Sequence, residues 1–85
     1  PPAEAFFDFF IDFLAEAVFS TLIGIRITAA RMIFHLLKAH PRIGEKSQER
    51  VLRAVFYLVR LKVSTYKQIG IKLASIVLGW DGSLK

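Results

Sequence analysis

Apolar residues recur at spacings of three and four along almost the whole chain, and no stretch alternates in the sustained way a strand requires. One interruption is clear. At His40-Pro41-Arg42-Ile43-Gly44, Pro41 bars a continuing helix and Gly44 permits an unusual backbone angle. The pattern therefore predicts an all-α fold, a single helical domain over residues 1–85. A first arm covers about 3–39 and a second about 45–78. A connection this short makes a helical hairpin, or a three-helix arrangement if the first arm breaks.

Within the first arm, Glu4, Asp8, Asp12 and Glu16 fall in an arc of about 120°. Phe6, Phe7, Phe9, Phe10, Phe13, Leu14 and Ala17 occupy the other side. From residue 25 the phase changes: Thr28, Arg31, His35 and Lys38 share a face that lies over the Phe side if the helix runs straight. The swap predicts a bend near Gly24, because glycine inside a helix is weakly destabilising and tolerates distortion. Arg26 sits off the polar face on either reading.

The second arm keeps its phase. Leu52, Phe56, Val59, Val63, Tyr66, Gly70, Leu73, Val77 and Trp80 recur at alternating fours and threes, a heptad-type seam. Arg50, Arg53, Arg60 and Lys67 line another side. Thr65-x-x-Gln68 has capping-box form, so a break at Ser64–Thr65 competes with the single long helix.

Charge changes this picture, because it is sorted. Residues 1–25 carry four acids and no Lys or Arg; residues 26–85 carry all 12 Lys and Arg with only Glu45, Glu49 and Asp81, so −4 and +9 give the net +5. Acids four apart repel one another and call for compensation. Folding back at Pro41–Gly44 brings Asp12 towards Lys72 and Glu16 towards Lys67 or Gln68. Electrostatic pairing among Asp8, Asp12, Glu16 and Lys72 is the expectation.

Composition adds an excess of apolar surface. A chain of 85 residues that is 54% apolar and holds 8 Phe exceeds what so small an interior can hide. A spanning helix is not expected. The longest stretch free of charged residues is the nine residues Ala17–Ile25, against the roughly 18–20 a span needs. In the window Phe6–Ile25, Asp8, Asp12 and Glu16 cost roughly 8–10 kcal/mol near a bilayer centre, more than its apolar residues return. The first charges are acidic, so no secretory leader is expected either.

Candidate chemistry is sparse. There is no Cys, which excludes disulfides and thiolate metal sites. His35 and His40 do not share a helix face, so no metal is expected. Ser64-x-x-Lys67 matches an acyl-transfer string without a second motif. No enzyme activity and no cofactor are expected. The basic stripe Arg50, Arg53, Arg60, Lys67 suits anionic lipid headgroups or an acidic partner. Nucleic acid is not an expected partner, because only Tyr57 joins that face for stacking.

The resulting expectation is a non-enzymatic, membrane-associated helical protein that forms a homo-oligomer or joins a larger complex. Its apolar interface comprises Phe6, Phe9, Phe10 and Phe13 with Leu52, Phe56, Val59, Val63, Tyr66, Leu73, Val77 and Trp80. Two alternatives stand beside it: a soluble, cytoplasmic, obligately oligomeric interaction module, and a secreted cationic membrane-active peptide of the toxin or bacteriocin kind.

Overall fold

The structure, a computed structural model, describes residues 2–82, with side chains described from Glu4 to Trp80. Among them all regular structure is helical: α1 (Pro2–Ala17), α2 (Ile23–Ala39), α3 (Glu45–Arg60) and α4 (Ser64–Gly82). Four helices replace the expected two arms. α1 and α2 form one hairpin and α3 and α4 the other; α1 then lies beside α3 and α2 beside α4, while among the described residues α1 and α4, and α2 and α3, stand diagonally apart.

The first break lies at Phe19–Leu22, ahead of Gly24, which sits inside α2 in open space. Phe19 N donates to Glu16 O and Ser20 N to Ala17 O, both at 3.0 Å, tightening the last turn. Ser20 Oγ then accepts from Leu22 N at 3.0 Å. A hydroxyl that bonds nearby backbone competes with the helix and supplies the corner. Arg26 locks it: Nε donates to Ser20 O at 3.1 Å. Its guanidinium lies 5.9 Å from the Tyr57 ring centroid and 5.4 Å from that of Tyr66. A cation off the polar face thus ties one corner to both helices of the other hairpin.

The second arm also reverses, at Leu61–Val63. Leu61 turns extended (φ −71°, ψ 147°) and its N–H bonds Leu58 O. Val63 O then accepts from Tyr66 N and Lys67 N to start α4. Val63 and Thr65 are β-branched, and with Ser64 between them this stretch favours helix weakly. Reversal lets Leu58 and Leu73 share one core, which a straight rod forbids. The heptad seam consequently does not exist as one surface. α3 buries Ser47, Val51, Ala54, Val55 and Leu58 instead and leaves Phe56 exposed, as is Val63 in the reversal. Tyr66 and Leu73 of the expected seam are in the core; Leu52, Val59, Val77 and Trp80 are half-buried at its edge.

The core sits between the hairpins. Ile11, Leu14 and Val18 meet Ala30, Ile33 and Leu37 from α2, Val51 and Leu58 from α3, and Ile69 and Leu73 from α4. Each large side chain buried this way contributes about 1.5–3 kcal/mol.

Two glycines matter for close approach. At Gly44 the backbone is ordinary (φ −64°, ψ 161°), so the expected unusual angle is absent. Its N–H donates to Asp8 Oδ2 at 2.9 Å, and a Cβ there would lie 2.8 Å from the same oxygen. A carboxylate from α1 thereby caps α3, whose own cap residue has no side chain. At Gly70, a Cβ would lie 2.8 Å from Val59 Cγ1 and 3.2 Å from Leu58 Cβ, so α3 and α4 approach closely there.

Candidate functional site

α1 carries two opposite apolar faces. At about 100° per residue, Ile11, Leu14, Ala15 and Val18 point inward, while Phe6, Phe9, Phe10 and Phe13 point away from the core. Those four rings are 76%, 69%, 41% and 63% exposed. The acids lie on the flank facing α3. Asp12 Oδ2 accepts from Arg50 Nη1 at 2.9 Å, and Asp8 caps α3 as described. Asp12 Oδ1 is buried without a hydrogen-bond partner. The expected Asp12–Lys72 pairing does not form, because α1 and α4 lie across a diagonal. Lys72 Nζ instead lies 5.9 Å from the Phe34 ring centroid, and Glu16 is exposed.

On α2, Ile25 and Met32 are exposed apolar residues, and Arg31, His35 and Lys38 are exposed as well, with Lys38 Nζ 5.7 Å from the Phe34 ring centroid. This hairpin therefore exposes apolar rings on α1 and cations on α2, with Asp8 and Asp12 engaged with α3.

The basic stripe is divided. Arg50 is taken by Asp12, and Arg60 Nε bonds Phe56 O at 3.1 Å at the end of its own helix. Arg53 and Lys67 are exposed, on different helices.

Between α3 and α4, towards Glu45 and Trp80, lies a groove of about 560 Å³. Leu52, Val55, Phe56, Ala74, Val77 and Leu78 line it, with Trp80, Gln48, Glu45 and Glu49 at the open end. Trp80 Nε1 donates to Pro41 O, which fixes the indole against the inter-hairpin connection. A second, more polar depression of about 790 Å³ lies behind it, bounded by Glu4, Asp8, His40 and Arg42. There the His40 ring stands edge-on to Phe7 at 5.0 Å.

Among the described residues no group of three or more His, Cys, Asp or Glu converges to hold a metal. No described helix is long and apolar enough to cross a membrane. No protein-family model matches this chain, and neither a curated protein nor a solved structure does.

Sequence reasoning passed over two features that the fold makes prominent. Arg26 was legible as a cation on an apolar side, which often means an internal partner. Glu45, Glu49, Leu52 and Phe56 share one face of α3 by their spacing, but they border a groove only once α4 folds back.

Proposed function

We propose that the protein is a non-enzymatic helical module that associates with membrane surfaces and assembles there with itself or with a larger complex. The outer face of the α1–α2 hairpin is the contact surface. One observation carries this reading: Phe6, Phe9, Phe10 and Phe13 point outward from a core that is already full. Four rings of about 200 Å² each, exposed by roughly six-tenths on average, offer about 500 Å². That is near the upper end of the ~300–600 Å² apolar patch a monomer tolerates. Exposed Arg31 and Lys38 on the same hairpin suit headgroup phosphates, and Asp8 and Asp12 are turned to α3.

Vesicle co-sedimentation tests this directly. The variant Phe6→Ser/Phe9→Ser/Phe13→Ser leaves the core intact, so its circular dichroism and melting should match the parent. Its vesicle binding should fall by about a hundredfold or more. An Arg53→Gln/Lys67→Gln variant should change binding to anionic vesicles much less. If the parent binds neither neutral nor anionic vesicles, the membrane reading fails. If light scattering then shows an oligomer that the triple Ser variant dissolves, the Phe face meets protein instead.

A further inference from the structure

The geometry points to the groove between α3 and α4 as a binding site for a single-chain amphiphile with a cationic, ammonium-type head. This goes beyond the membrane reading and does not rest on it, because the groove lies on the other hairpin from the Phe face.

The volume of about 560 Å³ falls within the ~300–1,000 Å³ typical of small-molecule pockets. The floor is apolar: Leu52, Val55, Ala74 and Val77. It follows α3 from Glu45 to Phe56, roughly 16 Å at the helical rise, so it suits an extended alkyl chain better than a compact ring. Such a chain gains in proportion to the methylenes it removes from water.

Charge selects the head. In a chain with 12 Lys and Arg, the ionic side chains that line this groove are Glu45 and Glu49. Neither forms an ion pair or hydrogen bond with a described residue. On α1, by comparison, Asp8 and Asp12 are both engaged with α3. Trp80 lines the same end, fixed by its bond to Pro41 O, and an indole face attracts cations, quaternary ammonium included. A groove with an apolar floor, an aromatic end wall and two unpaired carboxylates thus complements an alkylammonium along its whole length.

Trp80 is the chain's one Trp, so its emission reports the groove. The probes are dodecyltrimethylammonium and dodecyl sulfate, each titrated below its micelle threshold against dilute protein. Long-range electrostatics of a +5 chain favours the sulfate; the groove favours the ammonium. The expected result is a saturable Trp80 response to dodecyltrimethylammonium at lower concentration than to dodecyl sulfate. Removing two carbons from the tail should weaken binding about tenfold. Glu45→Gln/Glu49→Gln keeps helix propensity and should weaken ammonium binding about fivefold, while the sulfate is held equally well or better. Ala74→Phe fills the groove without touching its charges and should abolish the response to both probes. A stronger response to the sulfate, or an unchanged ammonium affinity in the double Gln variant, would overturn the assignment. So would a Trp80 shift that follows protein concentration alone, because a second copy would then occupy the groove.

Discussion

α1 and α3 lie side by side, joined by Asp12–Arg50 and by Asp8 at the start of α3, yet they divide their residues oppositely. α3 buries Val51, Ala54, Val55 and Leu58 and turns Lys46, Arg53 and Arg60 outward. α1 buries Ile11, Leu14, Ala15 and Val18 and turns its largest apolar side chains out. An amphipathic helix needs one apolar neighbour. A helix apolar on two sides needs a second, and among the described residues only its inward side is covered. The contrast separates residues that hold the fold from residues available to a partner.

The largest expected effect breaks that contrast at its strongest point. Leu58→Ala in α3 or Leu73→Ala in α4 should cost about 2–5 kcal/mol in urea unfolding, because each empties a fully buried position. Phe9→Ala in α1 removes a larger side chain and should change stability by less than about 0.5 kcal/mol. If Phe9→Ala destabilised as much as Leu58→Ala, the outward face of α1 would be a core face.

Next in size is the α1–α2 corner, which Arg26 ties to the other hairpin. Arg26→Met keeps the apolar stem but loses the Ser20 bond and the stacking on Tyr57 and Tyr66. A loss of about 1–2 kcal/mol is expected. Arg26→Lys should recover part of it. Equal losses for Met and Lys would show that the cation over the tyrosines contributes nothing.

Two glycines of α4 should respond with opposite signs. Gly79→Ala meets open space and should stabilise by about 0.5–1 kcal/mol through helix propensity. Gly70→Ala makes the same gain but forces Val59 or the helix spacing to move. Overpacking costs about 1–3 kcal/mol, so a net loss of about 1 kcal/mol is expected. Stabilisation at both sites would mean that α3 and α4 are not held at the separation described.

The smallest effect concerns the charges between α1 and its neighbours. A double-mutant cycle on Asp12 and Arg50 should show coupling of about 0.5 kcal/mol at low salt, since the pair is partly exposed. The same cycle on Asp12 and Lys72 should show none. Coupling to Lys72 would require α1 to lie along α4, contrary to the packing order.

Helical character, the break at Pro41–Gly44 and the surplus of apolar surface were all legible in the sequence, because spacing, proline chemistry and composition are local properties. The sign and position of the acids were legible too, together with their need for partners. Arg50 rather than Lys72 meets Asp12 because the second arm reverses at Leu61–Val63, where no glycine or proline marks the turn. Once it reverses, α3 and α4 keep separate phases, the heptad seam divides, and the basic stripe divides with it. Burial decides such a reversal: one long rod would expose both Leu58 and Leu73, and a hairpin hides them together. By itself, then, the sequence determined that the chain would be helical with a break at Pro41–Gly44 and that some apolar surface would remain outside. Only the tertiary structure decided which Phe rings those were, and that Glu45, Glu49 and Trp80 stand at the mouth of one groove. Those choices depend on which helix lies beside which, and that is settled by the shared core and not by any one segment.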